Sequence, residues 1–473
     1  MSSLKYSRFR WLLKFSGKND MIGTVFTPLL STDTAGEIQM AQKQTGSALK
    51  QNIKQNIKQN KLCPVASKCG GCQWIDRDYQ EQLKAKETRF RKLMEPYCRP
   101  EAMIGMEHPE HYRNKVHAVF GEDRKHNAIS GIYEEKSHRI VPVDSCLIED
   151  EKADEIIVSV RGLLKSFKIR PYNEDTGYGL LRHVLIRTGR ATGQIMVVLA
   201  LSSPIMPSKK NFVKALLKLH PEITTIVLNV NDRDTSMVLG EKEQVIYGRG
   251  YIEDRLCGRT FRISPKSFYQ VNPVQAEKLY RKAIDYAGLT GKETVVDAYC
   301  GTGTIGIVAA ERAGRVIGVE LNPDAVKDAR SNAKCNQVDT IEFYQNDAGK
   351  FLMDMAEKGT QADIILMDPP RSGSSEEFLN AVAKVAPGRV VYISCNPDTL
   401  VRDVKYLKKK GYTVQKCVAV DMFPFTEETE GVALLIRETG SRKRKRMGGQ
   451  SDGNAGFPNG QFRNGQKKKH TGK

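Results

Sequence analysis

From about residue 264 to 440, short apolar, β-branched runs alternate with stretches of helical periodicity: "TVVDAY", "RVIGVEL", "IEFYQN", "DIILMD", "RVVYIS" and "VALLIR" mark the runs. Strand-sized runs separated by helices predict an α/β domain with a doubly wound, mainly parallel sheet, because parallel neighbours need a crossover between them. Between about 109 and 257 the rhythm changes. "KVHAVFG", "ISGIYEE", "VLIRTGRATGQIMVVLAL" and "ITTIVLNVN" are strand patterns parted by turns, with a helical stretch at "NFVKALLKLH". That pattern predicts a compact α+β domain rich in antiparallel hairpins. An amphipathic helix is expected over "DYQEQLKAKETRFRKLM", just after a cysteine-rich turn.

The two ends follow neither period. Residues 41–61, "AQKQTGSALKQNIKQNIKQNK", repeat polar residues without a core-forming face and read as a linker. Met1 to Met40 carries no assignable pattern, and Met21 and Met40 are alternative starts. Residues 441–473 are rich in Gly, Asn and Lys and are expected to be disordered. The expected organisation is therefore a basic extension (1–62), a cysteine-cluster segment (63–108), a central α+β domain (109–257), a doubly wound domain (258–440) and a basic tail (441–473).

Charge sharpens this division. The chain carries a formal +19, of which residues 1–62 supply +7 and residues 441–473 supply +9. Such arms suit a polyanion held through phosphate contacts, RNA or DNA; the plainer reading is a pair of solubilising tails. No apolar run is long enough for a membrane span, and "FRWLLKF" is too short and charge-interrupted for a signal peptide. A cytoplasmic protein is expected. In that compartment ten cysteines point to thiol, metal or cluster chemistry, since disulfides there rarely persist.

The first strand of the doubly wound domain runs into a glycine loop, "VVDAYCGTGTIGIVAAERA", where Gly301, Gly303 and Gly306 let backbone approach a ligand at a helix N-terminus. The second strand ends in Glu320, an acid placed to accept both hydroxyls of a ribose. NAD and S-adenosylmethionine both remain open at that point. The fourth strand ends in Asp368-Pro369-Pro370, a rigid acidic edge. Together these features resemble the class I S-adenosylmethionine-dependent methyltransferases.

The fifth strand, "VYIS", delivers Cys395 to its tip and stops at Asn396-Pro397. Core packing, a metal ligand, a redox sensor and a nucleophile are the possible roles of such a thiol. Ligands of open α/β sheets bind at the C-terminal strand ends, so Cys395 faces the same crevice as the cofactor. It follows the strand rather than lying within it, and no metal-ligating partners are near in sequence. A nucleophile remains. A methyltransferase needs one when its acceptor is an unactivated carbon: thiolate addition to C6 of uracil makes C5 nucleophilic, and a base must then take the C5 proton. The carboxylates of "DMFPFTEETEGVALLIR" are candidates for that base.

"SCNP", "DPPR", "DAYCGTGTIG", "SFYQVN" and the Asp421–Glu430 stretch together resemble the RNA uracil-5-methyltransferase family over about residues 63–440. The resemblance implies Cys395 as nucleophile and Glu430 as proton acceptor. It implies Gln270, Tyr299, Glu320 and Asp368 as contacts to S-adenosylmethionine, with Thr304 and Asp347 as further cofactor candidates. One departure is local: Glu428 stands where such proteins often carry histidine. A DNA cytosine-5-methyltransferase would show Pro-Cys instead of Ser-Cys-Asn-Pro. A non-catalytic RNA-binding or ribosome assembly factor on the same fold is the competing class, and the intact cysteine and carboxylates argue against it.

Cys63, Cys69 and Cys72 form C-x5-C-x2-C, with Gly70 and Gly71 making the turn. Spacing alone leaves zinc and a [4Fe–4S] cluster open, although the second C-x2-C of a zinc ribbon is missing. Ribosomal-RNA members of the family carry a [4Fe–4S] cluster with this spacing, and the resemblance implies Cys146 as the fourth ligand. The cluster tilts the expected substrate toward 23S ribosomal RNA, with tRNA second, and because uracil methylation needs no redox step a structural or RNA-positioning role is expected for it. Cys98, Cys257, Cys335 and Cys417 read as ordinary thiols and Cys300 as lining of the cofactor loop. Tyr112, Arg113, Asn114 and Lys115 are expected to line the approach of a flipped base. No small N-terminal β-barrel is apparent in residues 1–62, and no obligate protein partner is expected.

Overall fold

A computed structural model describes residues 63–438, apart from 136 and 234–236. The basic arms at 1–62 and 441–473, the 41–61 linker and the question of an N-terminal barrel lie outside the described residues. Among the described residues no helix is long and apolar enough to cross a membrane.

The chain enters through a short turn of helix, α1 (Ala66–Cys69), and a long helix, α2 (Tyr79–Met94), whose start is capped by the Asp78 carboxylate accepting from the Gln80 N–H. Next come β1 (Lys115–Glu122), β2 (Ala128–Tyr133), β3 (Ile140–Pro142), α3 (Glu151–Leu163), β4 (Leu181–Thr188), β5 (Ile195–Leu201), α4 (Lys209–Leu219), β6 (Ile223–Val230) and β7 (Lys242–Tyr247). They build a seven-stranded sheet in the order β3-β2-β1-β4-β5-β6-β7. It is antiparallel except for β5 beside β6, where α4 supplies the crossover. The helices α3 and α4 close one face with an apolar core that includes Ile156, Val160, Phe212 and Leu216.

A hairpin, β8 (Ile252–Leu256) and β9 (Arg259–Ile263), straddles the expected boundary at 257/258. It leads into α5 (Pro273–Ala287), β10 (Thr294–Ala298), α6 (Thr304–Ala309), β11 (Arg315–Glu320), α7 (Pro323–Cys335), β12 (Ile341–Gln345) and α8 (Ala348–Glu357). β13 (Ile364–Met367), α9 (Glu376–Val385), β14 (Arg389–Ser394), α10 (Pro397–Lys409), β15 (Tyr412–Val420) and β16 (Glu430–Arg437) complete the fold. The second sheet runs β12-β11-β10-β13-β14-β16-β15, parallel through β14 and antiparallel at β16 and β15. This is the doubly wound α/β architecture of class I methyltransferases. Its central strands carry consecutive apolar residues because helices cover both faces: Val295, Ile364 and Val391 face one core, Val296, Ile365 and Val390 the other. Strand order reverses between β10 and β13, and a crevice opens beyond their carboxyl ends.

Candidate functional site

At that crevice lies a cavity of about 850 Å³, and its walls hold Gln270, Tyr299, Glu320, Asp347, Asp368, Cys395 and Glu430 together. These residues, from Gln270 to Glu430, converge because most sit at or just beyond the carboxyl ends of strands, with Gln270 in the loop before α5 and Glu430 at the start of β16.

The glycine loop is shaped from below. Asp297, buried at the end of β10, accepts from the Gly306 N–H at 2.8 Å, and a Cβ on Gly306 would sit 2.7 Å from that carboxylate. Tyr299 takes a left-handed backbone (φ 64), uncommon for a non-glycine residue and consistent with a strained functional turn. Glu320 accepts from the Gly301 N–H at 3.0 Å and the Asn322 N–H at 2.8 Å, which fixes its carboxylate over the loop. Asp347 caps α8 by accepting from Lys350 N–H. Gln270 is buried near the Tyr280 hydroxyl, and its backbone carbonyl accepts from the Asn114 side-chain amide. Thr304 is the exception: it is absent from the cavity wall, and its hydroxyl meets that of Tyr280 at 3.3 Å.

Cys395 sits between a strand end and a helix start. Ser394 closes β14, its hydroxyl accepting from Asn396 N–H and donating to the Asn396 carbonyl. Asn396 then caps α10 through Asp398 N–H, with Pro397 at the first helical position, where a missing N–H costs nothing. The strand stops because the helix is already initiated. Register brings Glu430 alongside: Ser394 pairs with Gly431 across β14 and β16, so Cys395 and Glu430 emerge next to one another.

Electrostatics follow from this packing. Burial, then the charges of Glu430 and Asp368, push the Cys395 thiol up to about 11, while Arg371 pulls it down. Burial and Asp368 raise Glu430 to about 8, and burial raises Asp368 to about 7. Asp368 has no ion-pair partner among the described residues. A cationic ligand beside it would favour the ionised form of all three groups. A ribose-sized acceptor pair on Glu320 and an uncompensated acid on Asp368 fit S-adenosylmethionine, whose methyl-bearing sulfur is positive. Labelling of Cys395 by iodoacetamide should therefore rise steeply with pH, and Arg371→Gln should slow it severalfold at about pH 9 by removing the favourable charge. Peptide-resolved mass spectrometry of the labelled protein measures this; an unchanged or faster rate contradicts it.

Two residues at this site lie within the quoted motifs "DPPR" and "SFYQVN" but have no role assigned by sequence. Arg371 meets Glu428 in a 2.5 Å ion pair on the cavity wall, so Glu428 is held by a cation while Glu430 turns inward. Phe268, 66% exposed, stands at the cavity mouth two residues before Gln270. The expected approach at 112–115 is corrected. Only Arg113 of the four lines the cavity. Tyr112 is buried with its hydroxyl donating to the Pro424 carbonyl at 3.1 Å, and Asn114 is buried against Gln270 and Val271.

The cysteine turn lies elsewhere. Cys63, Cys69 and Cys72 are near enough for charge on one to raise the next, and burial pushes Cys72 and Cys146 up to about 12. Cys72 and Cys146 pack on one apolar patch of Met106, Tyr112, Ile148 and Phe425. By donor type, four thiols suit a soft metal or an iron–sulfur cluster. Among the described residues, however, no three His, Cys, Asp or Glu side chains converge closely enough to hold an ion.

Comparison with known proteins places these observations in context. Residues 78–438 match the tRNA (uracil-5-)-methyltransferase family. An RNA methyltransferase of Halalkalibacterium halodurans is 42% identical over 378 residues, covering 79% of this chain and 82% of its own. One from Caldanaerobacter subterraneus is 41% identical over 80% of this chain and 84% of its own. Among solved structures, the Pyrococcus abyssi tRNA (uracil-54, C5)-methyltransferase in complex with S-adenosyl-L-homocysteine superposes with a TM-score of 0.66. It is 29% identical, over 78% of this chain and 86% of that one.

Proposed function

Because the chain belongs to the tRNA (uracil-5-)-methyltransferase family and is an S-adenosylmethionine-dependent RNA (uracil-5-)-methyltransferase, we propose that it methylates C5 of uracil in 23S ribosomal RNA through a covalent adduct on Cys395. The observation that carries the reading is the placement of Cys395 and Glu430 side by side on the wall that also holds Asp368 and Glu320.

In this reading the Cys395 thiolate adds to C6 of the uracil, and the C5–C6 electron pair moves to form an enolate. S-adenosylmethionine, when bound, supplies the electrophilic methyl group. Glu430 then takes the proton from C5, the electron pair of that C–H bond reforms the C5–C6 double bond, and the Cys395–C6 bond breaks to return the thiolate. Gln270, Tyr299, Glu320, Asp347 and Asp368 hold the cofactor. Thr304 is retained only as a residue supporting the loop. Phe268 offers a ring face at the mouth for the flipped base. Cys63, Cys69, Cys72 and Cys146 are read as ligands of a [4Fe–4S] cluster, supported by their number and soft donor type; the reaction balances without an electron-transfer step.

A second reading has its own support: the superposing Pyrococcus abyssi enzyme acts on tRNA. Anaerobically purified protein incubated with S-adenosylmethionine and either 23S fragments or tRNA discriminates the two. Nucleoside mass spectrometry should find 5-methyluridine in the ribosomal fragments. Product in tRNA alone would replace the first reading by the second, and product in neither would refute both.

A further inference from the structure

The segment that leads to Glu430 is held largely from outside its own domain. Residues 421–425 are gripped from one side by α2 and the cysteine turn. Lys86 makes a fully buried ion pair with Asp421 at 2.6 Å and donates to the Phe423 carbonyl at 3.0 Å. Tyr79 donates to the other Asp421 oxygen at 2.9 Å. Gln82 accepts from the Phe425 N–H at 2.9 Å, and the Phe425 carbonyl accepts from the Trp74 N–H at 3.0 Å. From the other side Gln275 bonds the Asp421 carbonyl and Asn272 the Met422 carbonyl.

Two details show that this grip shapes the segment. Phe425 has a left-handed backbone (φ 66), which a bulky residue adopts only when its surroundings enforce it. Both of its backbone polar groups are tied to residues 74 and 82. Further along, Gly431, next to Glu430, lies so close to α2 that a Cβ there would meet the Phe90 ring at 2.7 Å. The helix thus touches the segment at both ends of the stretch that ends in Glu430.

We propose that Lys86 is a positioning residue for Glu430: through Asp421 and Phe423 it fixes the path of the segment, so that the carboxylate reaches the C5 proton of the adduct. The helix beside the cysteine turn then serves the elimination half of the reaction, and this inference rests on the reading of Glu430 as proton acceptor. Lys86 is fully buried and does not line the cavity, so its loss should spare methyl transfer and slow release of the product from Cys395.

The test uses the full chain with its RNA substrate in single turnover, measuring S-adenosylhomocysteine formation and decay of the protein–RNA adduct separately. Lys86→Met keeps the aliphatic stem. Lys86→Met combined with Asp421→Asn removes the buried charge left behind, so a folded variant is at hand if the single one fails to fold. Methyl transfer should stay within about threefold while adduct decay slows about tenfold or more, as expected for a displaced catalytic group. Equal slowing of both steps, or no slowing in either, overturns the inference. Glu430→Gln run in parallel separates the two failures. If it accumulates adduct and the Lys86 variants do not, only the positioning role falls. If it accumulates none, the role of Glu430 falls and this inference falls with it.

Discussion

Cys395→Ala should lower methylation by at least about 10⁴-fold, because without the thiolate C5 of the uracil has no route to become nucleophilic. The residue is half-buried at a turn whose hydrogen bonds come from Ser394 and Asn396, so the fold loses little: stability should stay within about 1 kcal/mol. Cofactor affinity should also be preserved, since the donors that would hold it lie on other strands. The discriminating measurement is denaturing electrophoresis with 5-fluorouridine-containing RNA, whose C5 cannot lose a proton. The native chain should form a stable adduct and the variant none. An adduct in Cys395→Ala would assign the nucleophile elsewhere; Cys300, buried in the glycine loop, would be the next thiol to test.

Glu430→Gln should produce the opposite phenotype, a stalled reaction in place of an absent one. Removing the carboxylate takes away a charge that raises the Cys395 thiol, so addition to C6 should be no slower and the thiol more reactive. Proton removal from C5 then lacks its acceptor, and turnover should fall about 10²- to 10⁴-fold. Adduct should accumulate on ordinary RNA. The sign of the pH effect follows from the same groups. Glu430 is raised to about 8 and Cys395 to about 11, and both act ionised, so turnover by the native chain should climb with pH through the Glu430 value. In Glu430→Gln the residual rate should lose that step. Turnover equal to the native chain would remove Glu430 from the mechanism, and the carboxylate of Glu428, two residues away, would need testing in its place.

Glu428 against Glu430 shows where sequence reading reaches its limit. In the run Glu427-Glu428-Thr429-Glu430 the three acids are chemically alike, and only a family resemblance chose between them. The tertiary structure separates them by a strand start: Glu430 opens β16 opposite Val420 and beside Ser394, while Glu428 stays in the loop against Arg371. Similarly, Tyr112 and Asn114 have the composition of a nucleic-acid contact, yet long-range packing spends them on Pro424 and Gln270. The helix α3 and the strand β15 go beyond the elements that the sequence pattern predicts. Asp150 with an acidic first turn was a legible start signal for α3. β15 mixes polar and apolar residues because Thr413, Gln415 and Lys416 are exposed while Tyr412, Val414 and Cys417 to Val420 are buried.

What the sequence determined by itself was local. Apolar runs without alternation made a buried parallel sheet; Gly301, Gly303 and Gly306 made a ligand-approaching turn; Asn-Pro after Ser-Cys ended a strand and began a helix in consecutive residues. These depend on dihedral preferences and capping hydrogen bonds, which act over a few positions and can be read there. The sheet register that sets Glu430 beside Cys395, the burial that lifts their proton affinities, and the hold of Lys86 on a segment 335 positions away were decided only by the tertiary structure. Register and burial belong to pairs of distant residues, and no single stretch of chain carries them.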